Sequence, residues 1–337
     1  EEELVPLDSA LACRALTAGD LNGDLEPEIF LRVGLGELFA IEDGGLVDIT
    51  SSWALTDDLE RNGVVVGTAS FVDIDLDGDM DLVASGQGEV DPMSGGSSGV
   101  FASGQLLFLN QMVEAGLERF ELAGRQDLTG PDFLDCQIDF DRFPDSSLRW
   151  GVGPAIWFDA DLDGDKDALI SAASGRCIFG PGLYINRIDE GRTGFTLHLL
   201  RSDWSQIRPH SGAAGDFDGD GDLDVVVNSF TLGSRAIYQN QLVQRAGNTV
   251  RHLVVRPISD PDGDATDDDA SDDRLEPTVV VQLDYDGDDF EPNARRRSQT
   301  TGSMRANFSH GLFEAHFGLG AHEGPVWVRA RFPDGSI

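Results

Sequence analysis

Short apolar strands alternate with tight polar segments along most of the chain, and helical periodicity is nearly absent. The apolar run 64–72 leads into one polar segment, the run 82–84 leaves it, and the runs 106–110 and 120–123 follow. Related orders of short strands surround three further polar segments. About four short strands per unit, repeated along the chain, predict the blades of an all-β propeller.

Each polar segment carries the pattern D-x-[DN]-x-D-x-x-x-[DE], and its copies start at residues 20, 73, 159 and 216, at intervals of 53, 86 and 57. Side-chain oxygens at positions 1, 3 and 5 converge only if the chain curls around a point between them. A hard cation with oxygen ligands fits such a loop, and Ca²⁺ tolerates its irregular geometry best. The candidate ligands at these positions are Asp20, Asn22, Asp24, Asp73, Asp75, Asp77, Asp159, Asp161, Asp163, Asp216, Asp218 and Asp220. We call residues 20–28, 73–81, 159–167 and 216–224 the first to fourth loops.

Net charge narrows the classes of partner. The 337 residues carry a formal charge of −37, so nucleic acid and anionic membrane surfaces are poor partners. No apolar run is long enough for a membrane helix, and we expect no direct membrane insertion. The chain begins with three glutamates instead of Met, which is typical of a product whose targeting segment has been removed. Cys13, Cys136 and Cys177 match no zinc spacing and allow one disulfide at most, whose pairing stays open.

The strand pattern changes near residue 245. Longer alternating strands are predicted at 252–258, 277–283, 313–317 and 326–332, with a hairpin turn at Asp286 and Gly287. We therefore predict a propeller domain over residues 1–245 and a small all-β sandwich or barrel-like domain over residues 246–337, here called the C-terminal segment.

The loops and their flanking strands resemble FG-GAP (VCBS-type) repeats, as found in integrin α-chain propellers. In the C-terminal segment, the stretches 316–320 (HFGLG) and 326–335 (VWVRARFPDG) resemble the ASPIC/UnbV domain, and this order of domains is that of the cartilage acidic protein family and its bacterial relatives. The resemblance implies side-chain ligands at position 9 and a backbone carbonyl ligand at position 7. It adds Glu28, Asp81, Asp167 and Asp224 at position 9, and Glu26, Asp79, Asp165 and Asp222 at position 7.

Two departures from the family pattern matter. The first loop has Leu25 where the others have Gly78, Gly164 and Gly221, and a leucine resists the positive φ that glycine permits, so we expect the first site to be the weakest. Family propellers usually have seven blades, whereas four repeats are visible here, so either further blades lie in the inserts or the chain is truncated.

The spacing of positions 1, 3, 5 and 9 occurs a fifth time in the C-terminal segment, at Asp260, Asp262, Asp264 and Asp268. This stretch lacks the glycine and is so rich in aspartate that a chance match is easy. A solvated acidic loop and a fifth calcium site are the two alternatives.

The pattern predicts three to four structural calcium ions, because protein ligands take every side-chain position and a catalytic ion keeps an open one. The leading hypothesis is a secreted, periplasmic or cell-surface binding or adhesion scaffold whose partner is an extracellular protein or glycan. Ligand contacts are expected in the inserts 84–105 and 131–150. The alternatives are a carbohydrate-active enzyme with its site in the propeller channel, which the few histidines and tyrosines disfavour, and a subunit of an extracellular assembly.

Overall fold

The computed structural model describes residues 16–24, 26–31, 36–42, 45–55, 64–90, 100–122, 136–138, 152–172, 182–188, 195–199, 209–229, 235–246, 250–259, 274–275, 279–284, 296–300, 304–305, 309–310, 314–332 and 336. In this part of the chain the fold is all-β with two helical turns, Met112–Ala115 and Leu242–Ala246. None of the described helices is long and apolar enough to cross a membrane.

Each acidic loop connects the first two strands of an antiparallel sheet, and the four sheets follow one another in chain order. We call each loop with its sheet a repeat. The first repeat contains β1 (Leu16–Gly19), β2 (Glu28–Leu31), β3 (Glu37–Glu42) and β4 (Gly45–Asp48). The second contains β5 (Val64–Val72), β6 (Asp81–Val90), β7 (Val100–Asn110) and β8 (Phe120–Leu122), and β9 (Cys136–Ile138) also pairs with β7. The third contains β10 (Val152–Phe158), β11 (Asp167–Ala172), β12 (Gly182–Asn186) and β13 (Phe195–Leu199), and the fourth contains β14 (Pro209–Gly215), β15 (Asp224–Ser229) and β16 (Arg235–Tyr238).

The first insert, residues 84–105, contains paired strands. The ladder between β6 and β7 continues to the pair Val90 and Val100, so much of the stretch 84–105 is a long hairpin. The pairing of the second and third strands of this repeat therefore continues into the insert. Residues 91–99 and most of 131–150 lie outside the described part of the chain.

The C-terminal segment forms four small antiparallel sheets within the described residues. Its strands are β17 (Arg251–Val255), β18 (Ile258–Ser259), β19 (Arg274–Leu275), β20 (Val280–Asp284), β21 (Arg296–Thr300), β22 (Met304–Arg305), β23 (Ser309–His310), β24 (Ala315–Gly320) and β25 (Trp327–Arg331). β17 pairs with β24, β18 with β19 and β22 with β23, and β20 lies between β21 and β25. Its core is built on Val279, Val281, Leu283, Ala315 and Phe317.

Consecutive repeats share hydrophobic cores. One core joins Leu21 and Phe30 of the first repeat to Phe71 of the second, and corresponding cores join the second repeat to the third and the third to the fourth. Gly212 shows how closely two sheets approach, because a Cβ there would lie 2.4 Å from Ile156 Cδ1. The hydrophobic effect therefore holds the repeats together as an ordered row.

The outer face of the fourth repeat differs from the same face of the earlier ones. At the equivalent position of the third strand, Leu38 and Leu107 are 0% and 4% exposed, whereas Ile237 is 67% exposed. At position 2 of the loop, Leu21 is 1% exposed and Phe217 is 54% exposed. In the earlier repeats the next sheet covers these side chains, so each of those repeats packs against the one that follows it in the chain.

The hairpin of β22 and β23 links the C-terminal segment to the repeats. β22 lies against β1 and β5, and β23 lies against β14. These are the first strands of the first, second and fourth repeats. Three repeats therefore present their first strands to one common hairpin.

Candidate metal centres

Three groups of carboxylates converge within the described residues. Each group contains positions 1, 3 and 9 of a loop, with one oxygen per side chain, and within a group these oxygens lie within 4.8 Å of one another. The groups are Asp73, Asp75 and Asp81; Asp159, Asp161 and Asp167; and Asp216, Asp218 and Asp224. A cation at 2.3–2.6 Å from each oxygen, the Ca²⁺ range, fits between atoms spaced in this way. The structure thus brings together three of the predicted ligands in each of the second, third and fourth loops, whereas the position-5 carboxylates Asp77, Asp163 and Asp220 are not members of these groups.

The first loop does not form such a group in the part of the chain that the structure describes. Position 3 of this loop is Asn22, whose side chain is an amide and not a carboxylate. Asn22 Nδ2 donates to Asp24 Oδ2 at 3.0 Å, so the Asp24 carboxylate faces Asn22. Glu26 at position 7 is exposed, and its N–H donates to Asp24 Oδ1 at 2.8 Å. Among the described residues the first loop therefore lacks the three-carboxylate group of the other loops, and the predicted effect of Leu25, which lies outside the described residues, stays a prediction.

Glycine at position 6 has the predicted role. Gly78, Gly164 and Gly221 have φ values of +101°, +99° and +99°, in a region that side chains with a Cβ rarely adopt. Position 4 also needs positive φ, which the sequence analysis missed. Leu76 and Leu162 occupy it at φ +63° and +61°. Glycine at the same position of the other two loops, Gly23 and Gly219, was the signal for it.

In the second, third and fourth loops, the position-9 carboxylate closes the loop through both of its oxygens. In the second loop, Asp81 Oδ2 accepts the N–H of Ile74 and Asp81 Oδ1 accepts that of Asn110, both at 2.9 Å. In the third loop, Asp167 accepts from Ala160 N at 2.6 Å and from Asn186 N at 2.8 Å. Because each oxygen has two lone pairs, these bonds leave room for a cation while they fix the carboxylate.

In the second and fourth loops, the position-7 side chain accepts a hydrogen bond from a helical turn. Asp79 Oδ2 accepts the N–H of Val113 at 3.0 Å, and Asp222 Oδ2 accepts that of Val243 at 2.9 Å. One side-chain oxygen at position 7 is therefore engaged in each of these two loops, and the backbone carbonyl ligand that the resemblance implies stays a prediction. Asp222 is fully buried, and its Oδ1 has no hydrogen-bond partner.

Burial and mutual repulsion perturb the carboxyl groups of the cation-free loops. Burial, and then the charge of Asp75, raises the pKa of Asp77 to about 10. Burial is also the main cause that raises the pKa of Glu28 to about 8 and that of Asp161 to about 7. A divalent cation removes both penalties, since it replaces water as the partner of the oxygens and separates their charges.

An asparagine from the next repeat clasps each of the first three loops, a feature that the sequence analysis missed. Asn110 Nδ2 donates to Leu21 O at 2.8 Å, Asn186 Nδ2 to Ile74 O at 3.2 Å, and Asn240 Nδ2 to Ala160 O at 2.8 Å. Each asparagine lies at or just after the end of the third strand of its repeat, and each accepting carbonyl is at position 2 of the preceding loop. The recurrence of asparagine at this point was the signal for it.

Replacing a clasp asparagine is expected to weaken the contact between two repeats. Asn186→Ala should lower the free energy of unfolding by about 1–3 kcal/mol, because the buried Ile74 carbonyl loses its donor and the N–H groups of Arg187 and Ile188 lose Asn186 Oδ1. Urea unfolding measures the loss. Asn228→Ala, at an exposed asparagine of β15, is the control, and equal midpoints for the two variants would contradict the clasp.

Two histidines of the C-terminal segment lie within hydrogen-bonding distance of backbone carbonyls. His316 is buried with Nε2 3.0 Å from Gly221 O, and burial lowers the pKa of its ring to about 4, so that the ring is neutral. His322 Nε2 lies 3.1 Å from Pro325 O. Asp260, Asp262, Asp264 and Asp268, the register of the fifth site, lie outside the described residues.

Comparisons with known proteins assign no family. No family model matches the chain, and no curated protein matches it. Among solved structures, YCF48 from Cyanidioschyzon merolae is similar with a TM-score of 0.27 and 12% identity, over 66% of this chain and 66% of that chain. The match spans just under two thirds of that protein, and similarity at this level carries no conclusion about fold or function.

Proposed function

We propose that this chain is a calcium-stabilised β-propeller of the FG-GAP type that serves as a non-catalytic binding scaffold outside the cytoplasm. The observation that supports it most directly is the convergence of carboxylates at positions 1, 3 and 9 in three loops. The common hairpin against the first strands of three repeats also supports a radial arrangement of blades. The partner in this proposal is an extracellular protein or a glycan.

Calcium fits these loops better than magnesium. Mg²⁺ demands near-ideal octahedral geometry and usually keeps several waters, whereas the loops offer many protein oxygens in an irregular cage. The buried third loop shows this most clearly, because Asp159, Asp165 and Asp167 are each 0% exposed. Ions held by so many protein oxygens act on stability, and the scaffold interpretation follows from that role.

Calorimetric titration tests the proposal. After treatment with a chelator, the chain is expected to bind at least three Ca²⁺ ions. Each ion contributes about 1.4 kcal/mol to stability when free calcium is ten times Kd. Three or four sites should therefore raise the melting temperature by roughly 10 °C or more. Magnesium at equal ionic strength is the control, and a chain that shows neither binding heat nor a shift with calcium would contradict the proposal.

A further inference from the structure

The C-terminal segment reaches the third loop through β24. The N–H of Gly318 donates to Asp159 Oδ2 at 2.8 Å, and the N–H of Gly320 donates to Leu162 O at 2.7 Å. The approach leaves no room for a side chain, because a Cβ on Gly318 would lie 2.3 Å from Asp159 Oδ2 and 2.4 Å from Leu162 Cα. The backbone of β24 therefore rests directly on the loop.

The same segment also packs on the fourth and first loops. The rings of His252 and His316 stack with centroids 5.4 Å apart and planes within 6°. A Cβ on Gly221 would lie 2.0 Å from His252 Cε1, so the glycine of the fourth loop admits the ring. Arg331 Nη2 donates to Gly23 O of the first loop at 2.6 Å. Three loops thus share one face, and the C-terminal segment covers it.

Gly318 bonds to a carboxylate of a candidate metal group. Asp159 is at position 1 of the third loop, is 0% exposed, and belongs to the converging set with Asp161 and Asp167. A hydrogen bond to Oδ2 fixes the orientation of the carboxylate. The second loop offers a comparison, because Asp79 and Asp81 accept the N–H groups of Val113, Ile74 and Asn110, all from its own repeat.

From these contacts we infer that the third loop is the docking surface of the C-terminal segment, with Gly318 as a positioning residue for Asp159, so that docking and cation binding in that loop strengthen each other. The inference rests on the proposed calcium binding. Thermodynamic linkage makes the effect reciprocal, since whatever docking adds to cation affinity the cation adds to docking.

Hydrogen exchange at a series of free calcium concentrations tests the linkage site by site. The calcium concentration that half-protects residues 159–167 reports the third loop, and that for residues 73–81 reports the second. Gly318→Ala is expected to raise the midpoint of the third loop on the order of 10-fold, within the range typical of coupled sites, and to leave that of the second loop unchanged. Gly45→Ala is the control, because its Cβ would meet only Glu42 O, at 3.7 Å.

Exchange in the unmodified chain gives a second readout that does not depend on the variant folding. Chelation should speed exchange at the amides of Gly318 and Gly320 and leave that of Val281 in the core of the segment unchanged. The linkage would be overturned by equal third-loop midpoints in Gly318→Ala and the unmodified chain, or by calcium-independent exchange at Gly318 and Gly320. Calcium binding in the second loop would in that case still uphold the proposed function. Absence of binding in every loop would overturn both.

Discussion

Calcium is expected to reverse the sign of the pH dependence of stability. In the cation-free chain, Glu28, Asp161 and Asp77 have pKa values raised to about 8, about 7 and about 10, chiefly by burial. Unfolding returns them to ordinary values of 4.5 for Glu and 3.8 for Asp. Because the folded chain binds these protons more tightly, their stabilising contribution is complete below about pH 4 and is lost as pH rises through the folded pKa values.

The slope follows from the number of carboxyls involved. Each one changes the free energy of unfolding by about 1.4 kcal/mol per pH unit inside its window. The cation-free chain should therefore lose stability steadily between about pH 5 and about pH 8. The calcium-loaded chain should gain stability over the same range, because the cation binds deprotonated carboxylates and protons compete with it.

Urea unfolding at several pH values, with excess calcium or with chelator, measures both slopes. Sodium chloride at matched ionic strength is the control, because it screens the repulsion between carboxylates without occupying the loops. Two slopes of the same sign would show that the buried carboxyls are not the ligands.

Two substitutions in the second loop are expected to separate loop closure from cation binding. Asp81→Ala removes the acceptor of two buried N–H groups, those of Ile74 and Asn110, and should cost about 2 kcal/mol or more even with chelator present. Asp75→Asn should act with opposite signs. With chelator it stabilises the chain by about 1 kcal/mol, because Asp75 is the main charge that opposes ionisation of Asp77 and Asp81. With calcium it destabilises the chain, because a charged ligand is lost.

Two urea unfolding curves for each variant, one with calcium and one with chelator, decide between these roles. Glu121→Gln changes an exposed carboxylate of β8 in the same sheet and should stay within about 0.5 kcal/mol of the unmodified chain in both conditions. If Asp75→Asn destabilised the chain equally with and without calcium, Asp75 would be a structural residue and not a ligand.

Local chemistry made the loops and their strands predictable. The strand Val64–Val72 has the predicted bounds, because strand period and turn residues act over a few positions. Positive φ at Gly78 is local for the same reason, since only the backbone around one residue decides it. The acidic pattern likewise predicted positions 1 and 3 of the converging groups in the second, third and fourth loops, whereas position 9 came from the family resemblance and position 5 is not in these groups.

Tertiary structure alone decided how these loops are held. The clasp from Asn186 to Ile74 O spans 112 residues, and the bond from Gly318 to Asp159 spans 159. Such contacts depend on how whole sheets pack, and no periodicity along the chain encodes that distance. The sequence by itself determined an all-β chain with four acidic loops at known positions. Only packing determined that the next repeat clasps three of them and that the C-terminal segment covers three, because the packing of distant segments brings each donor, a side-chain group or a backbone N–H, to its carboxylate or carbonyl.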